Sequence, residues 1–230
     1  NIKLGIETIW KHIENGDIIT LVVDPDVDGI CSSAILFDYL EKAVAETLQP
    51  QGFATTNLTI KSDFYINWDV VTHTGKGHGL TSDISINPNT KLIILPDGGS
   101  NDVEEHKKWK EKGVDIVVID HHQITNVSND AIIINNQSSD NYTNKDFSGV
   151  GIVYRVLQAF DDLLFLSNAD NYLDLVSLGN ISDVMNTLSY ETRFFIQSGI
   201  KKESLKNDFL KLLLKYTKTD TGNDFNYFIY

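Results

Sequence analysis

The sequence is poor in positive charge. It has 19 Lys and Arg residues against 32 Asp and Glu residues, which gives a formal net charge of −13 at pH 7. This balance argues against a broadly basic nucleic-acid-binding surface, because such surfaces contact phosphates through Lys and Arg. It does not exclude an enzyme that acts on nucleic acid, since metal ions can neutralise an acidic site.

Cysteine and long apolar runs are also scarce. A single cysteine, Cys31, excludes an internal disulfide and fits a reducing compartment. We expect it to be a small buried residue. No apolar run reaches the roughly 18 residues of a membrane span, and no signal peptide precedes the first predicted strand. These features predict a cytoplasmic protein that does not cross a membrane.

Short β-branched runs alternate with helical patterns in the first part of the chain. A helix is predicted over 3–14, closed by Asn15-Gly16, and a buried strand over 18–24 leads into a helix that starts near Ile30. Further strands are predicted around 64–66 and at 91–97, 114–120 and 131–135. This alternation predicts an α/β fold with a mostly parallel five-stranded sheet flanked by helices.

The pattern becomes purely helical after Gly149. Helices are predicted at 149–166, 170–180, 189–199 and 203–217. A helical C-terminal segment should therefore follow the sheet.

Acidic motifs and histidines follow three of the predicted strands. These residues are Asp24, Asp26 and Asp28, then Asp97, and finally Asp120, His121 and His122. The carboxyl ends of parallel strands share one edge of a sheet, so we expect these side chains to converge. Turn chemistry alone could explain Asp24-Pro25-Asp26 or Asp28-Gly29. Three such motifs at matching strand ends favour a functional site instead.

The residue types indicate which metal would bind. Carboxylates mixed with imidazole suit Mn²⁺, or Mg²⁺ that keeps part of its water shell. The set is larger than one ion needs. Two ions about 3.5–4 Å apart are the arrangement expected for phosphoester hydrolysis.

These motifs resemble those of a known family. The segments DPDVDG (24–29), Asp97, DHH (120–122) and LGNISDVMNTL (178–188) resemble the four motifs of the DHH phosphoesterase superfamily. The likeness is strongest to the RecJ branch, the single-strand-specific 5′→3′ DNA exonucleases. It extends through GHGL (77–80), the Asn-rich stretch 134–160 and ETRFFIQSGI (191–200), so it covers nearly the whole chain.

The resemblance implies a role for each motif residue. Asp28, Asp97, His121 and His122 would be catalytic, with Asp97 bridging the two ions and Asp120 supporting the histidines. The metal ligands would be Asp24, Asp26, Asp28, Asp97, His121, His122 and Asp183. Asp24 could instead support the ligands, and the histidines could orient the scissile phosphate. Without the resemblance, Asp183 would be interpreted as an exposed aspartate at a helix end.

Two further segments are candidates for substrate binding. The loop 73–80 contains His73, Lys76 and His78, which could contact a phosphate, although a flexible surface turn is an equal interpretation. The pair Ser148-Gly149 opens a helix and could hold a phosphate, or could allow close helix packing. The resemblance places this turn near the metal cleft.

The sequence departs from the RecJ pattern in places. His73 occupies a position where RecJ-like proteins carry arginine, and histidine lacks arginine's bidentate fork. Asp97-Gly98-Gly99 replaces Asp-Cys-Gly. The resemblance implies a DHH catalytic domain over 1–188 and a helical connector over 189–230. This connector would lead to a smaller C-terminal domain that the sequence does not include.

Several other residues carry simpler expectations. We expect His12 and His106 to be solvated, because their neighbours are Glu and Lys. Trp10, Trp68 and Trp109 could stack on bases, but isolated tryptophans are more often part of the core.

Three functions remain open from the sequence. The first is a two-metal exonuclease that releases 5′ mononucleotides from single-stranded DNA, with replication or repair proteins as further partners. The second is a DHH phosphoesterase for small substrates such as nanoRNA, 3′-phosphoadenosine 5′-phosphate or cyclic dinucleotides. The third is a metal-free scaffold of the same fold. The intact acidic motifs favour an enzyme over a scaffold.

Overall fold

Five parallel strands form one sheet. In the computed structural model, which describes residues 1–47, 65–73, 78–201 and 205–216, the strands are β1 (Ile18–Val23), β2 (Asn67–Thr72), β3 (Leu92–Pro96), β4 (Asp115–Asp120) and β5 (Ile132–Asn135). Their order across the sheet is β2-β1-β3-β4-β5, and every pairing is parallel. The predicted five-stranded parallel α/β sheet is confirmed.

Helices cover both faces of this sheet. They are α1 (Ile2–Glu14), α2 (Val27–Thr47), α3 (Val103–Glu111), α4 (Gly149–Leu164), α5 (Leu173–Ser182), α6 (Tyr190–Gly199) and α7 (Asp208–Tyr216). A short 3₁₀ turn at Ala169–Tyr172 leads into α5. The helical C-terminal segment is therefore confirmed. Within the described ranges, no helix combines the length and apolar character needed to cross a membrane.

The β-branched runs form strands because both faces of the central strands are covered. All five residues of β3 are buried, and so are the last five of β4. The larger core lies between the sheet and the side formed by α1, α2 and α4, and a smaller core lies under α3. This burial explains why β3 and β4 are continuous apolar runs rather than alternating ones.

The second strand begins later than expected. The structure places β2 at Asn67–Thr72, whereas the prediction centred on 64–66. Tyr65 is exposed and only Ile66 is buried, while Phe64 lies outside the described residues. An edge strand shows a weaker apolar pattern than a central one, so its position is harder to predict from the sequence.

Cys31 and the three tryptophans lie where the sequence suggested. Cys31 is buried, and this burial raises the pKa of its thiol to about 12. Trp10 and Trp68 pack partly buried against the larger core, and Trp109 packs against the smaller one. The expectation that these residues belong to the core is confirmed.

The expectation that His12 and His106 are solvated is wrong. His106 is fully buried, because its side of α3 faces the sheet although its sequence neighbours are charged. Burial lowers the pKa of His106. The His12 ring is also buried, with Nδ1 2.8 Å from Asp17 Oδ2 and Nε2 3.1 Å from Asp115 Oδ2. These two carboxylates, at the starts of β1 and β4, make burial of the imidazole favourable.

The helix α6 packs closely on the rest of the fold. Phe195 lies in the larger core, and Ser177 Oγ of α5 donates a hydrogen bond to the carbonyl oxygens of Phe195 and Ile196. Glu191 accepts hydrogen bonds from Tyr142 and Asn144. These contacts fix α5, and with it the motif at its C-terminal end.

The His12 bridge leads to a stability prediction. We expect His12→Ala to lower the free energy of unfolding by about 1–3 kcal/mol, because two carboxylates lose a buried partner. Urea denaturation measures the change. The control is Lys11→Ala at the exposed neighbouring position, and equal stabilities of the two variants would contradict the structural role of His12.

Candidate metal centre

The carboxyl ends of three neighbouring strands bring the predicted ligands together. Three overlapping groups form, and within each group the potential ligand atoms lie within 4.8 Å of one another. The groups are Asp24 with Asp26 and Asp97, Asp28 with His121 and Asp183, and Asp97 with Asp120, His121 and His122. The residues selected from strand ends therefore share one site, and Asp183 joins it from the end of α5.

His121 lies at the middle of this cluster. Its Nε2 atom is 3.3 Å from Asp97 Oδ1, 3.5 Å from Asp183 Oδ2 and 4.0 Å from Asp28 Oδ2. One nitrogen facing three carboxylates from three different elements is the geometry of a shared cation site. Asp97 and His121 each belong to two of the three groups, so these two residues connect the groups to one another.

Asp120 holds the two histidines through hydrogen bonds. Its Oδ1 accepts hydrogen bonds from the backbone N–H groups of His121 and His122 and lies 2.7 Å from His122 Nδ1. Its Oδ2 accepts a hydrogen bond from the Ser100 N–H. Burial alone would raise the pKa of Asp120, but the hydrogen bonds from His122 and Ser100 outweigh it and hold that pKa below its usual value. The supporting role of Asp120 stays a prediction, which these hydrogen bonds favour.

Asp28 is anchored at the N-terminus of α4. Its Oδ2 accepts a hydrogen bond from the Gly149 N–H at 2.6 Å, and its Oδ1 accepts one from the Val150 N–H at 3.1 Å. The first backbone donors of a helix favour a negative charge, so this contact stabilises a buried carboxylate. The Gly149 N–H, proposed from the sequence as a substrate contact, is directed at Asp28.

The remaining candidate substrate residues occupy different environments. His78 is exposed, and its Nδ1 lies 2.9 Å from Asp24 Oδ1. His73 is buried, with Nδ1 3.3 Å from Thr81 Oγ1. Ser148 is fully buried, and its N–H donates to Asn180 Oδ1. Lys76 lies outside the described residues. In this structure, His78 contacts a predicted metal ligand directly.

Crowding of like charges makes the site receptive to cations. Burial, and secondly the charge of Asp97, raises the pKa of Asp28 well above its usual value. Burial and then Asp26 raise the pKa of Asp97 to about 8. The pKa of Asp183 is also raised, by burial. Asp97 Oδ1 and Asp183 Oδ2 are buried without a hydrogen-bond partner among the described residues. Unsatisfied carboxylate oxygens beside an imidazole fit Mn²⁺ or Mg²⁺.

Backbone strain is concentrated at the same place. Asp97 has a φ of 68°, in the left-handed region that non-glycine residues seldom occupy, and Val184 beside Asp183 has a φ of 53°. Strained conformations of this kind are tolerated where the surrounding structure fixes them, and they cluster at functional sites. The turn after β3 therefore aims the Asp97 carboxylate into the cluster.

Three glycines pack directly against three of the motif aspartates, and two of them against the carboxylate groups, a feature that motif reasoning missed. A Cβ atom at Gly149 would lie 2.6 Å from Asp97 Cγ, and one at Gly179 would lie 2.5 Å from Asp28 Oδ1. A Cβ atom at Gly29 would lie 2.8 Å from the Asp24 carbonyl oxygen. Gly149 and Gly179 thus leave space for carboxylates, whereas Gly29 leaves space for the backbone and Cβ of Asp24. The Ser148-Gly149 turn was the one sequence signal, and close packing was one of its two interpretations.

Asn135 is another residue that sequence reasoning missed. It lies at the end of β5, where its Nδ2 donates hydrogen bonds to Ser100 Oγ at 2.9 Å and to the His122 carbonyl oxygen at 3.0 Å. It thereby fixes the backbone of the DHH segment. Its position at a fourth strand end was a signal that could have identified it.

The glycine contacts lead to a prediction about metal affinity. We expect Gly149→Ala to weaken Mn²⁺ binding roughly 10- to 100-fold, as changes around a metal ligand do, because the added methyl group displaces Asp97. Calorimetric titration measures the affinity. The matched control is Gly151→Ala, whose Cβ would meet the Phe147 ring at 2.6 Å instead. If both variants lose the same affinity, the effect is a general loss of packing.

The raised pKa values lead to a prediction about pH. The folded-state pKa of Asp97 is about 8, and that of His122 is raised to about 9 by its hydrogen bond to Asp120. A group whose pKa is raised by folding contributes its full stabilisation when the pH is below its pKa in the unfolded chain. This stabilisation is lost as the pH rises through the pKa of the group in the folded protein. In EDTA, the free energy of unfolding should therefore fall from about pH 4, where an aspartate of the unfolded chain loses its proton, to about pH 9, where His122 loses its proton in the folded state. The stabilisation from Asp120, whose pKa is lowered, is already complete above about pH 4.

Guanidinium unfolding at several pH values tests this dependence. Asp97→Asn should flatten the pH profile, whereas the control Asp140→Asn, on an exposed loop, should keep it. Added Mn²⁺ should restore stability at the higher pH, because metal binding favours the ionised carboxylates. A profile that rises with pH in EDTA would contradict the electrostatics of the site.

Comparisons with known sequences agree with the geometry. The profile of the DHH family, N-terminal domain, matches residues 18–180. The chain is 37% identical over 224 residues to the putative SPbeta prophage-derived single-strand DNA-specific exonuclease YorK of Bacillus subtilis, which covers 97% of this chain and 35% of that protein. It is 28% identical over 223 residues to the single-stranded-DNA-specific exonuclease RecJ of the same organism, covering 96% of this chain and 26% of RecJ. The chain thus spans about a third or less of these relatives.

Solved structures show the same fold. RecJ from Thermus thermophilus in complex with Mn²⁺ superposes with a TM-score of 0.72 at 18% identity, over 97% of this chain and 30% of that one. An exonuclease RecJ bound to manganese gives a TM-score of 0.71 at 18% identity, over 97% of this chain and 53% of that one. Together with the family profile matched across residues 18–180, the shared fold and the assembled motifs show that the chain belongs to the DHH family.

Proposed function

We propose that the protein is a metal-dependent phosphodiesterase that acts as a 5′→3′ exonuclease on single-stranded DNA and releases 5′ mononucleotides. The observation that carries the proposal is the position of His121 Nε2 within 4.0 Å of Asp97, Asp183 and Asp28. A cluster with this many buried anions and so few cations calls for divalent ions. The relatives named as single-strand-specific exonucleases support the choice of substrate.

Two Mn²⁺ or Mg²⁺ ions fit the ligand set. Asp24, Asp26 and Asp97 would hold one ion, and Asp28, His121 and Asp183 would hold the other, with Asp97 between them. Two ions bound in this way would supply Lewis-acid stabilisation of the charge that develops on the phosphoryl oxygens. Asp28 would keep its hydrogen bonds to α4, which fix its orientation.

His122 is proposed to hold the scissile phosphate. Its Nδ1 is engaged by Asp120, which raises the pKa of His122 to about 9, so the ring is protonated at neutral pH. The side chain is 50% exposed, and its Nε2–H is available to donate to a phosphate oxygen. In the reaction, water adds to phosphorus, the bond from phosphorus to the 3′ oxygen breaks, and that oxygen takes up a proton.

A small-substrate phosphoesterase is the second candidate. The observation that favours it is the net charge of −13, because a long polyanion gains less from such a surface than a dinucleotide does. The sequence identity to exonucleases across most of the chain supports the first candidate.

The two activities are separable with defined substrates. We expect the protein with Mn²⁺ to release mononucleotides from a single strand labelled at its 3′ end, shortening it from the 5′ end. Because Asp97 is central to the ligand set, Asp97→Asn should lower kcat/KM at least about 100-fold, while Asp140→Asn should retain activity. Gel analysis of the products measures both.

Other outcomes would overturn the proposal in different ways. Cleavage of an RNA dinucleotide without cleavage of the single strand would favour the small-substrate enzyme. Equal calorimetric heats of Mn²⁺ binding for the parent and Asp97→Asn would favour a metal-free scaffold.

The domain arrangement is part of the proposal. Residues 1–188 would form the catalytic domain, and residues 189–230 would connect it to a second domain that closes over the strand. The first helix of this connector, α6, packs on α5, so closure would act on the helix that ends beside Asp183. We place the enzyme in the cytoplasm, where Cys31 stays reduced, with replication or repair proteins as partners.

A further inference from the structure

A small apolar cleft lies at the carboxyl edge of the sheet between the ends of β1 and β2. We call it the β1–β2 cleft. Its volume is about 360 Å³, and its lining residues are Val23, Pro25, Ile30, Val70, Val71 and Thr72. Val23 and Thr72 are the last residues of their strands and pair with each other. The cleft therefore opens on the edge of the sheet that carries the metal-ligand cluster.

The cleft is continuous in sequence and space with that cluster. Pro25 lies between the candidate ligands Asp24 and Asp26, and Ile30 lies two residues after Asp28 in the first turns of α2. The strand β1, which is followed by Asp24, forms one wall of the cleft and pairs on its other side with β3, which is followed by Asp97. A ligand in the cleft would thus lie one strand away from the centre of the cluster.

The walls of the cleft suit an uncharged flat group rather than a phosphate. Ile30 is 52% exposed and Val70 is 54% exposed, so both present apolar surface to an incoming ligand. The one polar side chain in the lining is Thr72, whose hydroxyl group donates to the Val23 carbonyl oxygen at 3.0 Å. None of the described residues that line the cleft carries a charge.

We propose that the β1–β2 cleft seats one unpaired nucleobase of the strand whose phosphate lies at the metal centre. This inference rests on the proposed function and identifies a contact between the protein and the substrate strand beside the metal centre. A volume of about 360 Å³ is close to the lower limit for ligand pockets and suits a single nucleoside. The side chains that line the cleft offer no free hydrogen-bonding group for the edge of a base, so packing there would not distinguish one base from another by hydrogen bonds.

This mode of binding explains how an acidic chain can hold a polyanion. With a net charge of −13, the protein gains little from general phosphate contacts, so affinity must come from elsewhere. A base that is paired and stacked in a duplex cannot enter the cleft. The same contact would therefore contribute both affinity and preference for a single strand.

A base-deletion experiment tests the proposal. The double variant Ile30→Ala with Val70→Thr reduces the apolar walls at exposed positions. It is compared with Leu4→Ala on α1, a residue of similar exposure (54%). The substrates are a twelve-nucleotide oligodeoxythymidylate and the same strand with abasic residues at its first three positions. Steady-state kinetics with Mn²⁺ gives kcat/KM for each pair.

The parent protein should have a higher kcat/KM for the full strand than for the abasic strand. We expect the ratio of these two values to be about fivefold smaller in the double variant, mainly because its KM for the full strand rises. This is the loss expected when part of one base contact is removed. Leu4→Ala should keep the ratio of the parent. Thermal unfolding of all proteins checks that the double variant is folded. An unchanged ratio in a folded double variant would overturn the proposal.

A second readout does not need activity. An oligodeoxynucleotide carrying 5-iodouracil is irradiated with the protein in EDTA, and the attached peptides are mapped by mass spectrometry. Adducts within 25–30 or 70–72 support a base in the cleft, even if the protein hydrolyses neither strand and the proposed nuclease function fails. Adducts confined to other segments would contradict it. A parent dimer that the double variant converts to a monomer would instead assign the cleft to a second copy of the chain.

Discussion

The structure depends on the confinement of several carboxylates at one edge of a parallel sheet. Like charges a few ångströms apart and shielded from water raise one another's pKa, and here burial and mutual repulsion raise the pKa of Asp97 to about 8. Such a cluster costs stability unless a cation neutralises it. The topology creates the cluster because β1, β3 and β4 are neighbours whose carboxyl ends share one edge. The strand order that defines the fold therefore also creates the cluster that favours binding of a cation.

The helices α4 and α5 keep this cluster in order. The N-terminus of α4 offers two backbone N–H groups to Asp28, and its first residue, Gly149, leaves space for Asp97. On α5, Gly179 leaves space for Asp28, and the helix ends beside Asp183. The N-terminus of one helix and two missing side chains thus position two carboxylates, those of Asp28 and Asp97. These N–H groups donate to Asp28, so they are not free to hold a phosphate as well.

The two imidazoles of the DHH segment have different surroundings and so can do different things. His121 faces three carboxylates and is suited to hold a cation. His122 is paired with Asp120, which keeps its ring protonated and leaves its outer nitrogen free to donate. In the proposed function, this arrangement and the apolar walls between β1 and β2 would separate three tasks, namely charge neutralisation, phosphate orientation and contact with the base. An acidic protein can then act on an acidic substrate without a broad basic surface.

The sequence alone determined the parallel sheet and the position of the acidic motifs at strand ends, because strand periodicity and turn position are local properties. It also predicted that the motif residues converge, namely Asp24, Asp26, Asp28, Asp97, Asp120, His121 and His122. Only the tertiary structure decided the burial of His12 and His106, the contact of His78 with Asp24 and the commitment of the Gly149 N–H to Asp28. Each of these depends on a partner far away in sequence, such as Asp115 for His12, and local charge patterns carry no information about such partners. The strand β2 lies later in the sequence than predicted for a related reason. A central strand is buried on both faces and therefore has a continuous apolar sequence, whereas an edge strand does not need one.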